Sequence, residues 1–161
     1  AHLFVNVLWM LAFGTALARR FGPGRFLAFT MLSAAAGALV HLMAHFGQTI
    51  PVVGASAAIS GQMAAATRFV FDRGAPLGLF RSAGPEAYLR PAQPLATVLS
   101  NGRALAFLGV WFGINLVIGL TSAAGMAGGA TIAWEAHIGG FLFGLLAFPL
   151  FDPIGRRPRP T

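Results

Sequence analysis

The chain has 161 residues, of which 57% are hydrophobic and 9% charged, with 21 glycines and no cysteine. Soluble domains carry about 25% charged and roughly 45–50% apolar residues, so this composition excludes an ordinary water-soluble fold, and the lack of cysteine excludes disulfides and thiolate metal sites. The net charge of +7 comes from 11 arginines without a lysine; these cluster between apolar runs and do not alternate with aromatics, which points to anionic lipid and away from nucleic acid.

Five apolar runs are predicted to cross a bilayer, over residues 1–18, 26–46, 52–71, 104–120 and 131–151. Each is close to the ~17–25 residues that a helix needs to span the hydrocarbon core. The first opens with His2 and Asn6 and closes on Arg19-Arg20-Phe21-Gly22-Pro23-Gly24-Arg25. The second carries His41 and His45 near its end, and an uncharged connection through Pro51 follows. The third starts within Val53-Gly54-Ala55-Ser56-Ala57-Ala58-Ile59-Ser60-Gly61 and ends near Arg68, close enough to the interface for the guanidinium to snorkel. Residues 72–103 form the one substantial loop, with Arg73, Arg81, Arg90, Arg103 and Glu86. The fourth run holds Trp111 and Asn115, and the fifth holds Glu135, His137, Gly140 and Gly144. Asp72 and Asp152 read as solvated carboxylates at span ends, and 156–161 is a basic tail. The expected fold is therefore an all-α, polytopic transmembrane bundle over residues 1–155, without a second domain. The chain opens without an initiator Met, so an upstream part is expected.

Arginine-rich connections alternate with uncharged ones, and the positive-inside rule then orients all five spans together. The arginine loops face the cytoplasm, while the N-terminus and the uncharged loops face out. That orientation puts Ser56, His137, His2 and Asn6 at one level, with Ser56 and His137 each ~8–9 Å below the outer surface at about 1.5 Å per residue. Four polar groups from three helices at one depth give a candidate functional site, because such groups are costly in lipid; the alternative is that polar groups collect near an interface, where they are cheap. A transporter path is not drawn by this pattern: the inner halves of the spans are nearly bare of polar groups, with Asn115 alone near the midplane.

Spacing sharpens the picture. A serine in the first turn of a helix sits among free backbone N–H groups at the positive dipole end, which suits a developing oxyanion. His2 and Asn6, four apart, project from one face and can donate to a single point. His137, Gly140 and Gly144 form a stripe of small residues headed by an imidazole, expected to meet a stripe of Ser56, Ser60 and Ala64. Helices joined through such faces can bring a hydroxyl and an imidazole within hydrogen-bond reach. His41 and His45 could share a metal, but no third ligand lies at matching spacing, so no metal site is expected. Glu135, two residues before His137, points to the opposite face and reads as a wet interfacial carboxylate. Interhelical hydrogen bonding accounts for Asn115. Trp9 and Trp134 read as packing or interface anchors.

Taken together, His2-x-x-x-Asn6, Gly54-Ala55-Ser56 and Ala136-His137-Ile138-Gly139-Gly140-Phe141-Leu142-Phe143-Gly144, in this order, resemble the rhomboid intramembrane serine proteases over nearly the whole chain. The resemblance implies a six-helix core of which five spans are present, with the first core helix missing. It implies a Ser56–His137 dyad that cleaves transmembrane protein substrates through an acyl-enzyme, with His2, Asn6 and the Ser56 backbone N–H holding the oxyanion. Gly54, Gly61, Gly140 and Gly144 would pack the helices around the site, and neither cofactor nor metal is implied. The expected location is a bacterial inner membrane, with the site toward the outer side. Two positions depart from the family pattern: Ala57 stands where a glycine usually follows the serine, and Ser60 stands where some members place an aromatic against the catalytic imidazole. The alternative reading is a catalytically inactive rhomboid-like module that binds membrane proteins.

Overall fold

The computed structural model describes residues 2–50, 55–71, 84–123 and 133–155. They form α1 (His2–Trp9), a π-helical turn (Met10–Gly14), α2 (Thr15–Phe21), α3 (Pro23–Ala44), α4 (Ser56–Val70), α5 (Leu95–Val98), α6 (Gly102–Ala123) and α7 (Trp134–Phe151). α1, the π turn and α2 run on as one long first helix, because Thr15 N–H reaches back to the Met10 carbonyl.

Among the described residues, four helices are long and apolar enough to cross a membrane: Leu3–Phe21, Pro23–Ala44, Gly102–Thr121 and Trp134–Phe151. Their outward faces carry bare hydrocarbon, with Leu3 77%, Phe4 71%, Met31 72% and Leu150 84% exposed. In water such faces would aggregate, whereas in lipid they match their solvent. The remaining expected span, the third (52–71), is described as the 15-residue helix α4, with residues 52–54 outside the described residues. α4 is buried from Ala57 through Val70, enclosed by α3, α7 and the first helix. A helix surrounded by protein can be short and polar where lipid-facing ones cannot. Gln62, only 1% exposed, donates to Thr30 Oγ1 at 3.0 Å, and that hydroxyl donates to the Phe26 carbonyl at 2.8 Å.

The helix ends differ from the sequence expectation for local reasons. The first helix continues through both arginines to Phe21 and stops at Gly22, whose φ of 76° only glycine adopts readily. Pro23 then opens α3 at a position where its missing N–H costs nothing, so the helix starts before residue 26. It also ends before residue 46, at Ala44.

α4 meets α7 at backbone distance. A Cβ on Gly140 would run into the Ala57 carbonyl, and one on Gly144 into the Gly61 carbonyl. The small-residue seam of α4 is therefore Ala57 and Gly61, and not the expected Ser56, Ser60 and Ala64. The helix is turned by one residue, about 100°, which leaves Ser56 and Ser60 facing a cavity instead of the seam.

At the opposite end of the bundle from Ser56, the arginines are built into the structure. Arg20 is 2% exposed and grips Asp152 with two bonds, Nε to Oδ1 at 2.9 Å and Nη2 to Oδ2 at 2.8 Å. Its Nη1 donates to the carbonyls of Tyr88 and Arg90 at 2.8 and 2.7 Å. The rings of Phe69 and Phe148 lie 4.7 and 5.6 Å from the guanidinium carbon. Asp152 is thus no solvated carboxylate, since its side chain is 5% exposed. Arg68 does not snorkel either: it is 5% exposed, lies 5.2 Å from the Phe148 ring centre and donates from Nε to the Gln93 carbonyl at 2.7 Å. A buried guanidinium needs several acceptors to offset its desolvation, and the chain after residue 84 supplies them as backbone carbonyls.

Candidate active site

Ser56 is the first residue of α4, and Ala55 caps the helix without a side-chain bond. The first helical bond recorded there runs from Ile59 N–H to the Ala55 carbonyl at 3.0 Å. The amides of the first turn before it, Ser56 among them, are those a helix start leaves without an intrahelical acceptor. His137 is in the first turn of α7, which begins at Trp134. The α4–α7 seam brings these two helix starts together, and His137 Nε2 lies 2.8 Å from Ser56 Oγ.

The other ring nitrogen is held from a third helix. His137 Nδ1 is 2.9 Å from Asn115 Oδ1, and Asn115 Nδ2 donates to the Trp111 carbonyl at 2.9 Å. With the amide nitrogen committed to that carbonyl, the oxygen faces the ring, and an oxygen can only accept. Nδ1 therefore carries the proton and Nε2 the lone pair, so Ser56 Oγ–H donates to Nε2. Serine, imidazole and asparagine form one line across α4, α7 and α6. Asn115 is 4% exposed, so the line is shielded from competing water at that end.

Asn115 was visible in the sequence as a polar residue in a span, one turn after Trp111, but nothing in the chain said which helix it faced. The structure aims it through aromatic packing: Trp111 stacks on Phe141 of α7 with ring centres 4.3 Å apart at 23°. About two turns further along α6, Gly119 lies against the Trp134 ring. Those contacts fix the rotation of α6, which otherwise touches α7 at few points. At the position where some family members carry an aromatic, Ser60 turns back to the Ser56 carbonyl at 2.8 Å. The imidazole is held by α6 instead.

A cavity of about 200 Å³ opens over the pair. Ser56, Asn115, His137 and Asn6 line it together with apolar groups such as Val5, Trp9, Met63 and Ile114. The Ala57 methyl is directed away from it, toward Gly37 of α3, so the departure from glycine at this position adds bulk to the helix seam and leaves the cavity floor to Ser56 and Ser60. Of the other expected site residues, Gly61, Gly140 and Gly144 form the close α4–α7 contact. The His2 side chain and Gly54 lie outside the described residues. Glu135, expected to be wet, has an 18% exposed side chain that faces His41 and His45 of α3.

These features define a class: an all-helical bundle with lipid-matched outer faces and a serine–histidine pair in an internal cavity. The rhomboid domain model matches residues 1–152, and the chain belongs to the rhomboid family, whose members are generally intramembrane serine proteases. It is accordingly an integral, multi-pass membrane protein. Neither the curated proteins nor the solved structures contain a match to it.

Proposed function

We propose that the chain is an intramembrane serine endopeptidase that cleaves transmembrane protein substrates with Ser56 as nucleophile and His137 as general base. The single observation that carries this reading is the 2.8 Å contact between Ser56 Oγ and His137 Nε2, in the tautomer that the Asn115 contact selects. Ser56 Oγ attacks the scissile carbonyl carbon as its proton passes to Nε2. The tetrahedral oxyanion is held by the Ser56 backbone N–H with Asn6 and His2. His137 then protonates the leaving amine, the C–N bond breaks, and an ester to Ser56 remains. Water attacks that ester, giving a proton to His137, which returns it to Ser56 as the acid leaves. The apolar cavity walls suit a substrate segment drawn out of its helix, and the end of the bundle bearing Ser56 faces the outer side of a bacterial inner membrane, opposite the arginines.

The test is labelling of the full-length protein in lipid with a serine-directed phosphonate. Labelling is expected for the natural protein and lost in Ser56→Ala and His137→Ala; equal labelling of all three would refute the chemistry. Asn6→Ala is expected to lower kcat by about 10²–10³, the usual effect of removing one oxyanion donor, with phosphonate labelling slowed but still dependent on Ser56.

Asn115 is proposed as a positioning residue, since it acts through the imidazole. Asn115→Ala leaves the Nδ1 proton without its acceptor, at a cost of about 1–3 kcal/mol, so kcat is expected to fall about 10–100-fold with KM little changed. Asn115→Asp, which keeps the acceptor, is expected to recover part of that loss. A merely structural role would instead lower thermal stability and leave the kcat of the folded fraction intact.

A further inference from the structure

On the far side of α7 from Ser56, three side chains from two helices converge on one point. His41 and His45 stand one turn apart at the end of α3, with ring centres 4.6 Å apart. Glu135, in the first turn of α7, reaches them both: Oε1 lies 3.3 Å from His45 Nε2 and Oε2 lies 3.8 Å from His41 Nδ1. One ligand atom from each residue falls within 4.8 Å of the other two.

The outer contacts decide what those nitrogens offer. His41 Nε2 is 3.4 Å from the Ile50 carbonyl, which can only accept, so Nε2 carries the proton and Nδ1 the lone pair. His41 is 5% exposed, and this buried Nδ1 has no hydrogen-bond partner although a carboxylate oxygen faces it. His45 Nδ1 is 3.3 Å from Gln48 Oε1, another acceptor, which leaves His45 Nε2 as the lone-pair atom of the neutral ring. Two lone pairs and a carboxylate therefore point at one another. That arrangement repels itself unless a positive charge lies between the groups.

We infer that His41, His45 and Glu135 form a binding site for a divalent transition-metal ion of the zinc class, which ties the end of α3 to the first turn of α7. Two imidazoles and one carboxylate are a donor set that suits zinc and its neighbours, whereas magnesium and calcium prefer oxygen alone. Metal–ligand bonds of about 2.0–2.1 Å place tetrahedral ligands roughly 3.3–3.4 Å apart, so the 3.3 Å contact already fits, and the rest of the set, whose ligand atoms lie within 4.8 Å of one another, closes on the ion by side-chain rotation. The Ile50 carbonyl and Gln48 amide oxygen are the partners that metal-bound histidines ordinarily have on their second nitrogen. Three protein ligands leave a fourth position for water. The site stands two residues before His137 on the other face of α7, so the metal steadies the turn that carries the imidazole without touching it.

The experiment uses the full chain, purified without a polyhistidine tag, stripped with a chelator and titrated with Zn²⁺ and, separately, Co²⁺. Binding of one Zn²⁺ per chain is expected, with a rise in the thermal midpoint, and Co²⁺ is expected to show the intense visible bands of a tetrahedral site. His45→Ala and Glu135→Gln should weaken Zn²⁺ binding at least about 100-fold, and Gln48→Ala by the roughly 10-fold typical of an outer partner. His137→Ala should bind as the natural protein does. The Co²⁺ spectrum of the natural protein needs no variant to fold. No binding at micromolar free metal would overturn the site and leave a protonated His45–Glu135 contact in its place. Binding lost in His137→Ala but kept in Glu135→Gln would overturn it by moving the metal to the candidate catalytic imidazole.

Discussion

Turnover of a single-span substrate by the protein in liposomes is expected to fall about 10⁴–10⁶-fold in Ser56→Ala, by a similar factor in His137→Ala, and no further in the double variant. The equality follows from the geometry. With Oγ and Nε2 2.8 Å apart, hydroxyl and imidazole work as one unit, and losing either removes the activated alkoxide that both create. Groups that act together are strongly non-additive in this way. KM should change little, because both atoms are small parts of a cavity whose walls are mostly apolar. If the two losses instead multiplied in the double variant, the groups would be serving separate steps, and the proposed mechanism would fail.

Arg20→Met is expected to destabilise the folded protein by about 3–5 kcal/mol, the usual cost of leaving a buried charge without its partner. Here the stranded group is the Asp152 carboxylate, 5% exposed beside an arginine side chain that is fully buried. The double variant Arg20→Met/Asp152→Leu should recover part of that loss, since it removes the orphan charge and adds apolar volume against Phe69 and Phe148. Recovery should stop short of the natural value. The carbonyls of Tyr88 and Arg90 still lose their donor, at about 1–3 kcal/mol for each that stays buried and unmet. Unfolding in increasing SDS, monitored by circular dichroism, measures all three. A double variant no more stable than the single one would mean that the carbonyl bonds, and not the ion pair, hold this end together.

Both predictions concern links between distant parts of the chain, and they differ in how far the sequence foretold them. Ser56 and His137 could be singled out because each sits in a local pattern: small residues around a serine at a helix start, and an imidazole heading a glycine stripe. Arg20 and Asp152, 132 positions apart, carry no such pattern. Each was indistinguishable from an ordinary charge at a span end. Asn115 was recognised as polar and intramembrane, yet its role depends on Trp111 stacking on Phe141 to turn it toward His137. In the sequence His41 and His45 are a pair of ligands without a third, because Glu135 comes from a helix 90 residues further on.

The sequence by itself determined the environment and the helices: hydropathy sets which segments leave water, and the alternation of arginines sets their expected direction, both being sums over neighbouring residues. It also determined the two groups proposed for the chemistry. Only the tertiary structure decided the rotation of each helix about its axis. The contact of Gly140 and Gly144 with the Ala57 and Gly61 carbonyls turned α4 by one residue from the expected stripe. Rotation answers to close packing between side chains far apart in the chain, and a helix with small residues on more than one face leaves that choice open until its neighbours are in place.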